Sequence, residues 1–387
     1  MKWSRKRIAI ALWCVASSFV THSIAAQSGS KASANSLTCA DCTHRSVLVT
    51  QLGAGDADTP DFSIFTRVSR LRGGRFVVGP VNGRKDIAVF TADGKFERML
   101  GRTGAGPGEY RSPANCGVFL GDSVWVFDVT LRRLSIFGPD LRFVRSMPFV
   151  DHRSLAFAPS GVIIGRADFP SDKVRAGQAL HQYDANTGTH IRSYGGKETI
   201  YNLTSDARGT VWAVVPEPMR VVSFGGDGVR GREVRVHPNW VPFPAIKPRT
   251  QPGKPASDEQ PATPPIIVEP FASVNSISIA ANGEFWILGG VPNADWRKGI
   301  NPYLPPPPER KGVVPVNDPS SKIRALNGWY DGMVEVVATD QNGTTRAIAR
   351  AKFNGAVSYF LTDGLFSSMT ADSDGVVAIN IWKLVPK

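Results

Sequence analysis

The stretch GDSVWVFDVTLRRLSIFGPDLRFV, residues 121–144, holds a turn glycine, a tryptophan-bearing apolar run, a second apolar run and a Gly-Pro-Asp turn into a third. Clusters of β-branched and aromatic residues bounded by Gly, Asp and Pro read as short strands joined by tight turns. No window sustains a helical period of 3.6. The question is whether this is one hairpin or one copy of a repeat.

It is a copy. A glycine followed by an apolar strand recurs as GRFVVG from Gly74, GVIIGR from Gly161, GTVWAVV from Gly209, GEFWILGG from Gly283 and, more weakly, GLFSSM from Gly364. A strand precedes each copy, and further on another strand follows a tight turn, as in DIAVFTADGKFERML (86–100) and RVVSFGGDGVRGREVRV (220–236). The unit is therefore four antiparallel strands, a to d, with the repeat glycine between a and b. Four-stranded units of roughly 40–45 residues mark a β-propeller. Setting aside 1–44 and two Pro-rich stretches, 238–272 and 292–331, leaves 268 residues, about 45 for each of six blades, whereas seven would leave about 38. The last unit stops after strand c, and SVLVTQL (46–52) can supply its outer strand and remove an exposed sheet edge. The predicted fold is all-β, a six-bladed β-propeller of four-stranded antiparallel blades over 45–387, closed by an N-terminal strand.

Between blades one and two lies GRTGAGPGEY, residues 101–110. Its glycines allow positive φ and close backbone approach, and Pro107 fixes one bend. It lacks the G-x-x-x-x-G-K-[ST] spacing and the following helix of a phosphate-binding loop, and Gly104, Gly106 and Gly108 do not follow G-x-G-x-x-G. Together with SPANCGVF (112–119) it resembles the G-x-x-G-x-G-P-G-E-[FY] segment of exported six-bladed propellers of the NHL and TolB-like groups, whose repeats the blade pattern of 124–144 also resembles. The resemblance implies the fold and an extracytoplasmic location. It implies no single activity, since such propellers include binding scaffolds, lyases and lactonases.

In an up-and-down blade the a–b and c–d turns share one face, and the b–c loops and d–a crossovers share the other. Residues 101–110 and 238–272 are d–a crossovers, and 292–331 is a b–c loop, so all three fall on one loop-rich face. The two insertions hold 18 of the 29 prolines. With their edges they carry Trp240, Trp296, Tyr303, Trp329 and Tyr330, and a purely disordered linker is usually poor in aromatics. These residues, with Glu109 and Tyr110 of the glycine-rich crossover, are the ligand-face candidates. YLPPPPER (303–310) suits polyproline II, which aromatic grooves bind.

The chain opens with Lys2, Arg5, Lys6 and Arg7, thirteen mostly apolar residues (8–20) and small residues to Ala26. That is the layout of a signal peptide over 1–26, too short in its apolar part to span a membrane. An exported protein, periplasmic or extracellular, is expected, with an irregular leader at 27–44. The leader removes four basic and no acidic residues, lowering the net charge from +12 to +8. The basic residues are scattered, which favours no specific nucleic-acid site. Cys39 and Cys42 have C-x-x-C spacing; with no second pair to complete a zinc site, a local disulfide is the expectation in an oxidising compartment.

Chemistry is sparse. The five histidines beyond the leader (His44, His152, His181, His190 and His237) are not spaced as metal pairs, and no G-x-S-x-G elbow is present. Asn115, Asn202 and Asn275 each stand near the start of an inner strand a, where their amides would converge at the channel mouth; calcium is the ion that such oxygens would take. Backbone capping at strand starts explains the same residues. Arg133, Arg220 and Lys85 precede strands c and read either as a basic rim or as blade-to-blade hydrogen bonding. The sequence thus points to a binding module for a protein, peptide or glycan, without a required cofactor. A calcium-assisted hydrolase or lactonase at the channel mouth is the alternative.

Overall fold

The computed structural model describes residues 41–387 except 55, 64, 84, 120, 150–153, 159–161, 167–171, 207, 209, 216–218, 237, 242–271, 294–329, 341–342, 362 and 372–375. All regular structure among the described residues is β. β1 (His44–Leu52) is followed by blade one, β2 (Arg67–Arg70), β3 (Phe76–Val81), β4 (Asp86–Phe90) and β5 (Phe96–Met99). A short parallel pair, β6 (Arg102–Thr103) and β7 (Glu109–Tyr110), lies in the crossover to blade two, β8 (Pro113–Val118), β9 (Val124–Asp128), β10 (Arg133–Phe137) and β11 (Phe143–Pro148). Blade three is β12 (Ser154–Ala158), β13 (Val162–Arg166), β14 (Leu180–Asp184) and β15 (His190–Tyr194). Blade four is β16 (Asn202–Ser205), β17 (Val211–Val215), β18 (Arg220–Phe224) and β19 (Arg230–Arg235). Blade five is β20 (Ser273–Ile279), β21 (Phe285–Pro292), β22 (Tyr330–Thr339) and β23 (Thr345–Phe353), and blade six holds β24 (Ala356–Phe360), β25 (Leu365–Ala371) and β26 (Val377–Pro386). Its fourth strand is β1, paired antiparallel with β26 from His44↔Pro386 to Leu52↔Ile379.

Burial follows position in the blade. Strands b and c read as continuous apolar runs because blades cover both their faces; β9 is buried throughout, whereas the outer β11 alternates with exposed positions. Each apolar layer joins two consecutive blades. Val77 and Val89 meet Val124 and Phe137; Trp125 and Leu134 meet Phe157 and Tyr183; Ile164 and Leu180 meet Leu203 and Val211. Val214 meets Ile277 and Phe285, Leu288 and Val334 meet Phe366, and Met369 and Ile379 meet Val68 and Phe76. The last of these layers joins blade six to blade one.

The tryptophans of strand b explain themselves here. Trp125 lies 5.8 Å from Phe157, Trp212 5.5 Å from Phe285 and Trp286 5.0 Å from Phe360, each ring in the following blade. A large flat ring fills the wedge between two twisted sheets, and aromatic pairs add about 0.5–1.5 kcal/mol beyond the area they bury. The glycines ahead of β3, β9 and β21 turn the chain: Gly74, Gly121 and Gly283 have φ of 89°, 92° and 85°.

Candidate functional site

The glycine-rich crossover is built to hold its own shape. Tyr110 is 1% exposed; its hydroxyl donates to the Leu100 carbonyl and accepts the Ile87 N–H at 3.3 Å. It faces the core between blades one and two, not a ligand. The Glu109 carboxylate accepts the Gly106 N–H at 2.7 Å and pairs with Arg102 at 2.6 Å, and these bonds hold it below the usual carboxylate range. Gly104 (φ 156°) exists to let that carboxylate in, since a Cβ there would lie 2.1 Å from Glu109 Oε2. Arg133, first residue of β10, donates to the carbonyls of Ala105, Gly106 and Glu109 at 2.9, 2.8 and 2.6 Å. Asp128 accepts the N–H groups of Ser112 and Leu131 at 3.2 and 2.8 Å.

Arg220 occupies the same place in blade four and pairs with Glu198 of the crossover 195–201, which Arg230 also approaches at 3.5 Å. Of the two readings of these arginines, the structure bears out hydrogen bonding: both are spent on the crossovers rather than offered at a rim.

The described ends of the Pro-rich insertions are rooted on blade five. Glu335, 2% exposed on β22, accepts Trp240 Nε1 at 3.1 Å and Arg350 Nε at 2.7 Å, and Arg350 also donates to Asn239 at 2.9 Å. Asn293 donates to Asp331 at 2.7 Å, and Lys352 pairs with the same carboxylate at 3.2 Å. Tyr330 is half-buried against Gly290. Trp296, Tyr303 and Trp329 lie outside the described residues.

Register sorts the asparagines. Asn115 pairs with Phe127 and Asn202 with Val214, each opposite the fourth residue of a strand-b apolar run. The corresponding residues are Arg67 (opposite Gly79) and Ser276 (opposite Leu288); Ser154 faces Arg166, the fifth residue of β13, and joins the level through its bond to Asn202. Asn275 sits in a β-bulge between Val274 and Ser276, one place off this level. Next along the chain, Val68, Cys116, Leu203 and Ile277 are buried in the layer shared with the preceding blade. The polar residues therefore face the other way, as a collar on the innermost strands. Within it Ser154 donates to Asn202 Oδ1 at 2.7 Å. Asn115, 9% exposed, has its Oδ1 buried without a hydrogen-bond partner. The Arg67 guanidinium carbon lies 5.7 Å from the Tyr359 ring centroid. Burial pushes the Tyr359 hydroxyl up, and the charges of both Arg67 and Tyr201 act on it.

A calcium ion takes six to eight oxygen ligands, usually several of them carboxylates. The collar supplies amides and hydroxyls beside a guanidinium, and that donor set does not fit the ion. Among the described residues no group of three or more His, Cys, Asp or Glu is placed to hold a metal. His181 and His190 both bond the Ser193 hydroxyl, at 2.9 and 2.8 Å. Cys42 is disulfide-bonded; Cys39, its expected partner, lies outside the described residues. Cys116 is free and buried, its thiol pushed up to about 12 by burial.

No family model matches the sequence, and no curated protein matches it. Solved structures do. A Bacteroides fragilis protein described as exported is 11% identical, with a TM-score of 0.53 over 90% of this chain and 97% of that one. A member of the DUF4221 family from Bacteroides vulgatus is 12% identical, with a TM-score of 0.52 over 89% and 99%. A gluconolactonase from Xanthomonas campestris is more distant, at 9% identity and a TM-score of 0.45 over 88% and 90%. The first two likenesses establish the propeller fold and nothing about chemistry. Among the described residues no helix is long and apolar enough to cross a membrane.

Proposed function

We propose that this chain is an exported binding module that takes a protein, peptide or glycan on the loop-rich face of its propeller, in keeping with its resemblance to exported NHL and TolB-like propellers and with the leader at 1–26. One observation carries the reading. Both Pro/aromatic insertions are anchored on blade five by charged groups of low exposure: Glu335 with Trp240 and Arg350, Asp331 with Asn293 and Lys352. Buried ion pairs of this kind cost desolvation and add little stability over apolar packing. Their use is to fix position, and recognition needs aromatic groups held on rigid supports.

The test is binding of the full chain to peptide and glycan arrays, beside the triple variant Trp296→Ala/Tyr303→Ala/Trp329→Ala. Binding by the wild type that the variant loses supports the reading. Equal binding by both, or no binding by the wild type, counts against it.

A further inference from the structure

Several part-buried arginines are matched by a carboxylate or by carbonyls. Arg70 pairs with Asp363, Arg175 with Asp172, Arg220 with Glu198 and Arg350 with Glu335, while Arg133 is wrapped by three carbonyls. Arg67 is different. It is half-buried on the innermost strand of blade one, and its partner among the described residues is the face of Tyr359. No hydrogen bond to a protein acceptor holds this guanidinium among the described residues, which leaves its donors open to an outside acceptor. An aromatic face orients such a group flat and leaves its edge open to an acceptor.

Two further features belong to the same place. Asn115, on the neighbouring inner strand, is 9% exposed and its side-chain oxygen has no partner, so no protein hydrogen bond fixes that amide. The orphan oxygen is itself an acceptor, so what this unfixed amide can offer an anion is its NH2 group, turned toward the collar. Arg67 and Asn202 begin their strands, Asn115 is the third residue of β8, and Tyr201, 50% exposed, immediately precedes Asn202. Strands a start at the d–a crossovers, so the collar opens toward the loop-rich face.

We infer that the collar is a binding site for a small oxyanion, a carboxylate or a phosphate, with Arg67 as its anchor and the Asn115 amide beside it. A planar carboxylate or a phosphate meets the guanidinium fork with two parallel N–H···O bonds. Tyr201 stands at the entrance. The site involves none of the residues of the Pro-rich insertions and stands apart from any macromolecule bound there.

The experiment is calorimetric titration of the full chain at 150 mM salt with inorganic phosphate and with succinate, and with succinamide as the uncharged control. Saturable binding of phosphate or succinate, without binding of succinamide, is expected, and which anion binds separates a phosphate ligand from a carboxylate one. Arg67→Met should weaken that binding at least tenfold, Arg67→Lys should restore part of it, and Arg142→Met, on an exposed c–d turn, should leave it unchanged. If Arg67→Met fails to fold, Asn115→Asp takes its place, since a carboxylate in the collar must expel the anion. An absence of anion binding to the wild type, or equal binding to Arg67→Met or to folded Asn115→Asp, overturns the inference.

Discussion

Two crossovers enter their blades past the same arginine and use it differently. Ahead of blade two, the long glycine-rich segment turns its peptide planes inward, and Arg133 is satisfied by the carbonyls of Ala105, Gly106 and Glu109. Ahead of blade four, the crossover 195–201 offers Arg220 a carboxylate, Glu198, which Arg230 shares. A carbonyl cage depends on the fork of one side chain and has no substitute if that side chain is lost. An ion pair with a second cation nearby does. The comparison teaches that one residue in one repeat position can brace a loop either through backbone shape or through charge, and that the two are not equally replaceable.

The largest effect should come from the cage. Arg133→Ala strands two part-buried carbonyls and one exposed one, and should cost about 3 kcal/mol, since hydrogen bonds to charged groups contribute roughly 1.5–3 kcal/mol each and water recovers part. Denaturant unfolding reads this directly, and Arg133→Lys should recover little because an ammonium cannot reproduce the fork. Equal stability of the Lys variant and wild type would break the distinction drawn here.

Tyr110→Phe tests the other support of the first crossover. It leaves the Leu100 carbonyl and the Ile87 N–H without the phenol between them, a loss of about 1–3 kcal/mol for a buried unsatisfied pair. A lowered melting temperature with an unchanged far-ultraviolet spectrum is the expected readout.

Arg220→Ala should be milder, about 1 kcal/mol, because its pair with Glu198 is part-buried but Arg230 remains near the same carboxylate to take up part of the loss. The double variant Arg220→Ala/Arg230→Ala should exceed the sum of the singles. Strict additivity would show that Arg230 gives no backup.

Smallest is a pH effect confined to the first crossover. Glu109 has its carboxyl held below the ordinary value near 4.5, chiefly by the Gly106 N–H and then by Arg102. A depressed carboxylate contributes stability that is present above its unfolded pKa and lost as pH falls through the folded one. Stability curves of the wild type should therefore bend downward below about pH 4.5 more steeply than those of Glu109→Gln, and parallel curves would show that this carboxylate is not a brace.

What the sequence made legible was local. Tight turns and apolar runs are written residue by residue, so the six units, the strand a–d order and the pairing of 46–52 with the last blade could be read before any coordinates. The face assignment followed from strand counting. Long-range polar pairing could not be read. Nothing near Trp240 announces Glu335, ninety-five positions away, and Tyr110 looks like a loop aromatic although it is buried. Arg67 stands in TRVSR, a weak strand start that resembles many surface segments; only its register opposite Gly79 places it in the collar. The same register separates Asn275 from Asn115 and Asn202, because a one-residue bulge is invisible in composition.

The pairing of β1 with β26 sets an order of events in time. His44 meets Pro386, so the sixth blade joins segments more than three hundred residues apart. Loop-closure entropy grows only logarithmically with length, so this contact costs little more than a shorter one once formed. Its rate is another matter, because contacts between distant segments are slow to find. Five blades can therefore assemble from local sequence while the ring waits, open, for its two ends to meet. In that interval the free edges of β1 and β26 are complementary to each other within one molecule and equally complementary between two. High concentration during refolding should thus trade closed rings for end-to-end exchanged dimers, and the same seam that seals the native ring is where one chain is most easily mistaken for another.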